Sequence, residues 1–331
     1  MLAKIKNLDP LIVLIVLAVI IAIFFPASGG FADVFSTATK IAIALLFFLY
    51  GARLSTKEAL DGLKNWKLHL TILAFTFVVF PAIGLALKPL EMVISSGISM
   101  GILYLTLVPS TVQSSVAFTS IARGNVAGAI VSASASNLIG VFATPLLVMA
   151  LMTTEGGMHI DTGVFLDIAV QLLLPFVIGQ LLRRWVKDFA ANKATKAVDR
   201  GSIAMVVYSA FSAGIVAGIW SSVKAWEVLF LVIFSIVLVA FMLWLTKFSA
   251  QKLGFNREDV IAIEFCGTKK SLASGLPMAA VIFGGANLGL LILPLMIFHQ
   301  IQLMMCSCLP PAMLEICQII STKLTAFRRA P

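Results

Sequence analysis

Glu264-Phe265-Cys266-Gly267-Thr268-Lys269-Lys270-Ser271 stands between two short apolar pieces, 260–263 and 272–283. Neither piece can cross a bilayer alone, but together they make one span, because a crossing helix needs about 20 residues. A carboxylate and two amines in the middle of a span are costly unless paired or hydrated. The stretch therefore reads as a helix broken at mid-membrane rather than as a surface loop. A second such place lies in 91–123, which as a straight helix would be about 48 Å long against a hydrocarbon core of about 30 Å. Midway it reads Val108-Pro109-Ser110-Thr111-Val112-Gln113-Ser114-Ser115. Proline removes one helical hydrogen bond and clashes with the preceding turn, and the freed carbonyls must face protein or water, never lipid. The five hydroxyl and amide side chains that follow exceed what a proline kink with back-bonded serines requires. Each break restarts a half-helix, near Ser115 and near Leu272, whose N-terminus carries about half a positive charge. An anionic group is favoured there.

The rest of the chain agrees with a lipid setting. Of its 331 residues 60% are apolar and 12% charged, whereas soluble domains run near 45–50% and about 25%. Apolar runs bounded by charged or turn-rich breaks predict spans at 10–26, 35–53, 68–87, 92–122, 125–152, 162–182, 201–221, 226–246, 257–284 and 286–309. With the N-terminus in the cytoplasm, the basic residues gather on the inner side. Only Lys40, Lys88 and Lys224 fall outside, with Lys269 and Lys270 within a span. This bias puts both termini in the cytoplasm of a multi-pass cell-membrane protein. The run after Lys4 and Lys6 could pass for a signal peptide, with Ala27-Ser28-Gly29-Gly30 as a cleavage site; a retained first helix is preferred because the charge alternation needs it. The net charge of +9 is spread over loops on one face, which argues against a nucleic-acid partner.

The expected fold is all-α and integral to the membrane, with ten transmembrane helices as two inverted five-helix repeats, 1–152 and 153–331. The short outer loop 153–161 divides them. An odd number of spans per half turns the second half upside down, and the fourth helix of each half is the broken one. Helices 4 and 9 are thus expected to cross at the site of an inverted-repeat transporter. Neither a metal-ligand cluster nor a nucleophile motif is present, so an enzyme is not expected and no cofactor is called for. Cys266, Cys306, Cys308 and Cys317 read as packing residues, since the Cys306–Cys308 spacing suits neither zinc nor redox chemistry.

Other polar residues inside spans are few. The fifth helix carries Ser132-Ala133-Ser134-Ala135-Ser136-Asn137, where small residues let helices approach closely and Ser132 and Ser134 are also candidates to line a site. Thr76 and His299 are lone polar residues with the look of interhelical hydrogen bonds. The candidate substrate- or ion-binding set is Thr76, Ser110, Thr111, Gln113, Ser114, Ser115, Ser132, Ser134, Glu264, Thr268, Lys269, Lys270 and Ser271.

At the two breaks the chain resembles the bile acid:sodium symporter family. The resemblance is carried by 109–115, by Ala122-Arg123-Gly124-Asn125-Val126-Ala127, and by Glu264 with Leu272-Ala273 eight and nine residues later. The wording is closer still to a divergent symporter-like branch of YfeH-type bacterial proteins and their vertebrate relatives. The resemblance implies a core of helices 3–5 and 8–10, a panel of helices 1, 2, 6 and 7, and alternating access for sulfonated, carboxylated or steroidal anions with sodium beside the crossing. The family's sodium-holding carboxylate falls on Glu264, its Ser-Asn on Ser114-Ser115 and its third-helix glutamine on Thr76. The chain departs from the pattern where hydroxyl ligands become Ala129 and Ala133, a glutamine becomes Thr268, and Asn-Ser becomes Lys269-Lys270. Hard cations want several oxygens; here oxygens have gone and ammonium groups have arrived.

The expectation is a secondary transporter that moves a small organic anion through the bilayer by alternating access. A ligand-sensing membrane regulator and a cation/proton antiporter are the alternatives. Sodium, on Glu264, Ser114 and Ser115, and a proton both stay open as coupling ion. Lys269 or Lys270 is expected beside Glu264, reaching it through the Gly267-containing break and supplying the charge that sodium supplies in the family.

Overall fold

In lipid only a helix satisfies its own backbone, and the long apolar runs of this chain fold accordingly. The computed structural model describes residues 10–53, 65–152, 169–192, 194–218, 220, 223–284 and 287–308. These form α1 (Pro10–Phe24), α2 (Gly29–Arg53), α3 (Trp66–Ala74), α4 (Phe80–Ala86), α5 (Ser96–Leu107), α6 (Val112–Ile121) and α7 (Val126–Met152). The second part holds α8 (Leu174–Leu181), α9 (Arg183–Ala190), α10 (Thr195–Val216), α11 (Ala225–Lys252), α12 (Arg257–Thr268), α13 (Leu272–Ile282) and α14 (Leu288–Cys308). No strand occurs among the described residues.

Several boundaries follow from single residues. Asn256 caps α12 by accepting from the Asp259 N–H, with Glu258 and Asp259 in its first turn; both features suit a helix N-terminus. A π-turn at Phe75–Val79 joins α3 to α4. Its cause is Pro81, which has no N–H to donate. The Phe80 N–H bonds back to the Phe75 carbonyl, so the carbonyl of Thr76 is left with no partner in its own helix.

Among the described residues five helices are long and apolar enough to cross a membrane: Gly29–Arg53, Trp66–Met92, Val126–Met152, Ala225–Lys252 and Leu288–Ser307. Two bent pairs bring the total to seven if each is one span: α5 with α6, bent by 61°, and Ala169–Leu181 with α9, bent by 103°. Val16, Leu17 and Ile20 on α1 and Leu229, Ile233 and Val237 on α11 are exposed. Apolar outer faces of this kind suit an integral membrane protein.

Packing joins α2 to α8, α1 to α10 and α2 to α10. In a second group α11 packs on α12 and α14, α5 on α14, α7 on α3 and α6, and α12 on α3, α6 and α7, and α10 joins the two groups through α13 and α14. The α2–α8 contact is a backbone-to-backbone approach. A Cβ on Gly51 would overlap the Phe176 carbonyl oxygen, and one on Gly179 the Phe48 carbonyl oxygen, which is why both crossing points are glycine.

The inner segment 183–200 was expected as a loop and is instead α9 with the first residues of α10. Its charges hid an amphipathic helix. Val186 and Ala190 pack against Phe48, Leu49 and Ala52, while Trp185 and Phe189 stay exposed. Arg53 closes the C-terminal end of α9, donating from Nε to Ala190 O, from Nη1 to Asp199 Oδ2 at 2.7 Å and from Nη2 to Thr195 Oγ1 at 2.8 Å. A cation belongs at that end of a helix. Cys266 and Cys306 are free and buried. The loop 153–161, the start of the sixth expected span, Lys4, Lys6, Cys317 and the C-terminal basic residues lie outside the described residues.

Candidate functional site

The two breaks meet, and each satisfies the other's stranded backbone groups. Between α5 and α6 the chain is extended at Val108 and Thr111; between α12 and α13 it is extended at Lys269 and Ser271. Across the gap the Ser271 N–H donates to Pro109 O at 2.8 Å, and Thr111 Oγ1 donates to Lys270 O at 2.8 Å. Ser110 Oγ donates to Cys266 O at 2.6 Å, and Ser115 Oγ to Phe265 O at 3.3 Å. Ser110, Ser115 and Lys270 are each 0% exposed, so every one of these bonds replaces water that cannot enter.

Neighbouring helices complete the accounting. From α7, Ser136 Oγ accepts from the Ser110 N–H at 3.0 Å, Asn137 Nδ2 donates to Ser110 O at 2.7 Å, and Thr144 Oγ1 donates to Leu107 O at 2.9 Å. From α14, Gln302 grips the peptide of Lys270 twice: Oε1 accepts from its N–H at 3.0 Å and Nε2 donates to its carbonyl at 2.9 Å. His299 Nδ1 lies 2.8 Å from that same Nε2. Tyr104 ties α5 to α13 by donating to Gly275 O at 2.6 Å.

The two lysines do different things. Lys270 Nζ donates to three backbone carbonyls, Thr76 O at 2.9 Å and Thr106 O and Val108 O at 2.8 Å, and lies 4.2 Å from the centre of the Phe80 ring. Lys269 Nζ sits 3.6 Å from the centre of the Phe118 ring and 3.5 Å from Ser114 O. Contact with the ring face holds a cation by the quadrupole.

Neither lysine is within 4.0 Å of a carboxylate among the described residues, which corrects the expected pairing with Glu264. Glu264, 7% exposed, instead faces Lys247 Nζ at 4.0 Å. The reason is the helix. Seven residues along α12 Glu264 is about 10 Å from its N-terminal end, within reach of the last turns of α11, whereas the break lysines are carried past it by the turn at 269.

The remaining sequence candidates are placed as follows. The hydroxyl of Thr76 bonds back to Ile72 O, so its carbonyl, not its side chain, is what meets Lys270. Thr268 Oγ1 lies 3.3 Å from Thr246 Oγ1. Ser271 caps α13 by accepting from the Ser274 N–H. Ser114 Oγ is buried without a partner among the described residues, and no side chain caps the first turn of α6. Gln113 is exposed. Ser132 is engaged by His69 Nδ1 at 2.6 Å, a helix–helix contact, and Ser134 is about 200° round α7 from it; it is Ser136 and Asn137, further along, that serve the break. Glu264 faces an ammonium and Ser114 has one beside it, so the trio expected to hold sodium is flanked by positive charge and fits a free cation poorly.

Comparison with known proteins places this geometry. The family model described as the SBF-like CPA transporter family matches residues 9–315. The chain is similar to a protein of Pseudomonas aeruginosa, 50% identical over 302 residues that cover 89% of this chain and 90% of the relative. It is 46% identical over 311 residues to the putative symporter YfeH of Escherichia coli, covering 92% of each. It is 33% identical over 286 residues to sodium/bile acid cotransporter 7-B of Xenopus laevis, covering 83% of this chain and 82% of the relative. On this evidence the chain belongs to the SBF-like CPA transporter family, and is a membrane transporter rather than an enzyme.

Proposed function

We propose that the protein is a secondary transporter that moves a small organic anion by alternating access at the crossing of its two broken helices. The observation that carries the reading is the first turn of α6. Its N–H groups have no side-chain cap, the Ser114 hydroxyl there has no partner among the described residues, and the Lys269 ammonium lies 3.5 Å from the backbone carbonyl of the same residue. An uncapped helix N-terminus, a free hydroxyl and a cation make an anion site. The matching end of α13 is closed by Ser271, so the anion belongs to α6. The names of the relatives, sodium/bile acid cotransporter and putative symporter, support an organic anion as cargo.

In this reading the chain has ten spans as two inverted repeats, 1–152 and 153–331. The packing supports it, because exchanging one set of five for the other turns several of the larger observed contacts into observed contacts. The second helix on the sixth becomes the seventh on the first; the third on the fifth becomes the eighth on the tenth; the fourth on the tenth becomes the ninth on the fifth. The same contacts favour a panel of α1, α2, α8 and α10 moving against a core of the rest, in a cell membrane with both termini inside. Ser110, Thr111, Ser115, Thr268 and Ser271 are assigned to holding the crossing, and Thr76 to the cation described below. Gln113, Ser132 and Ser134 are given no contact with the substrate.

The test is uptake of a panel of sulfonated and carboxylated anions into proteoliposomes, with sodium and pH gradients varied separately. Lys269→Met should lower uptake about tenfold or more, the loss of one charge-assisted hydrogen bond. Binding without exchange would favour a ligand-sensing regulator. A pH gradient dissipated with no organic substrate would favour a cation/proton antiporter.

A further inference from the structure

We propose that Lys270 is a built-in cation: its ammonium fills a backbone-carbonyl cage that would otherwise take a free monovalent ion, and the protein needs no free sodium to hold its crossing together. Every group around Nζ is what a metal ion would ask for. Three carbonyl oxygens from two elements lie 2.8–2.9 Å away, an aromatic face closes a fourth side, and no carboxylate is within 4.0 Å among the described residues.

The oxygens are available for reasons already in the chain. Thr76 O is stranded because the Phe80 N–H turns back to Phe75 and Pro81 has no N–H. Thr106 O and Val108 O are stranded because α5 stops at Leu107, at the negative end of its own dipole. The Ser110 N–H, which a continued helix would give to Thr106 O, goes to Ser136.

The surroundings of Nζ, three carbonyl acceptors and an aromatic face, suit an ammonium. A neutral amine has two N–H donors and a lone pair, which would point at one of three acceptors; an ammonium has three donors and no acceptor. Three short bonds to three carbonyls leave nothing over on either side. A group tethered four carbons from its own backbone also has a far higher effective concentration than an ion in solution. The amine therefore holds the cage against free sodium or potassium. The N···O distances exceed the about 2.3–2.6 Å of a calcium-sized ion. Once vacated, the cage suits a larger monovalent ion such as potassium or ammonium as well as sodium.

The uptake arm of the test rests on the transporter reading above; the melting arm does not. Purified wild type should melt at the same temperature in sodium, potassium, ammonium and choline chloride at equal ionic strength. Lys270→Ala should melt lower in choline and recover by about 2 °C in at least one small cation at about tenfold over its dissociation constant. Ethylammonium, which refills both the tail space and the charge, should do the same. A lysine that serves only as a structural plug predicts a variant that is equally unstable in every salt, and that result overturns the proposal. A wild-type rise of about 3 °C or more in sodium over choline overturns it too, and this arm decides the matter even if the variant does not fold. Where anion uptake is observed, wild-type uptake should be the same in sodium and in choline. Absent uptake with the predicted melting pattern would count against the transporter reading alone.

Discussion

Gln302→Leu isolates one clamp at the crossing. The residue is 0% exposed and bonds both the N–H and the carbonyl of the Lys270 peptide, at 3.0 and 2.9 Å. Leucine is of similar volume, so the packing loss is small; the Lys270 N–H is left unpaired, while its carbonyl loses one partner and keeps Thr111 Oγ1. An unpaired buried group costs about 1–3 kcal/mol and a lost hydrogen bond about 1 kcal/mol, which gives about 2–4 kcal/mol for the substitution. At about 2.1 cal/mol/K per residue, a chain of 331 residues shifts by about 1.4 °C per kcal/mol, a fall of about 3–6 °C. Thermal melting in detergent, followed by tryptophan fluorescence, reads it directly. Gln302→Glu refines the test, because a carboxylate oxygen still accepts from the Lys270 N–H but cannot donate to its carbonyl. It should melt below wild type, because its second oxygen is set against the carbonyl oxygen that Nε2 now serves. A leucine variant melting within about 1 °C of wild type would refute the reasoning, for it would mean that water reaches the peptide or that the break does not depend on α14.

Other expectations follow from the same geometry. Gly51→Val forces α2 off α8 and should cost about 1–3 kcal/mol or more, read as lost thermal stability, while Gly30→Ala, where nothing lies within 4 Å, should be neutral or slightly stabilising. Lys247 and Glu264, with side chains 32% and 9% exposed, should show a coupling of about 1–2 kcal/mol in a double-mutant cycle of Lys247→Met and Glu264→Gln, between the values for exposed and buried pairs; additive effects would remove Lys247 as the partner. Reporter fusions after Pro331 and within 153–161 should report opposite sides of the membrane, and the same side for both would end the inverted-repeat reading.

What was legible in the sequence, and what was not, divides along side chains and backbone. Both breaks could be read because proline and lysine are conspicuous inside apolar runs, and they meet as the crossing of helices 4 and 9 requires. The partners of the lysines could not be read, because carbonyl oxygens are present at every residue and only the local turn decides which are free. One clue was available: Pro81 lies five residues after Thr76, the offset at which a π-turn needs an N–H that proline lacks. Lys247 was assigned to an inner loop from its charge alone, yet α11 runs on to Lys252 and carries it within reach of Glu264. Asn137, and Gln302 with Gln300 beside it, are amides in largely apolar helices. Nothing in their neighbours points to the break they serve. The charges of 183–190 looked like a loop because a surface helix of this length carries its signal in one and a half turns of apolar spacing.

The central claim, that an organic anion passes through this crossing, is tested most directly by counterflow. Proteoliposomes holding the purified protein are loaded with an unlabelled sulfonated or carboxylated anion and diluted into a trace of the same anion carrying a label. The Ser115 side chain, 0% exposed and bonded to Phe265 O, holds the two half-helices together. Wild type should accumulate label transiently above its equilibrium level, and Ser115→Leu should abolish the overshoot while still inserting and melting cooperatively. Label that binds wild type without any overshoot, across the whole anion panel, would contradict the account.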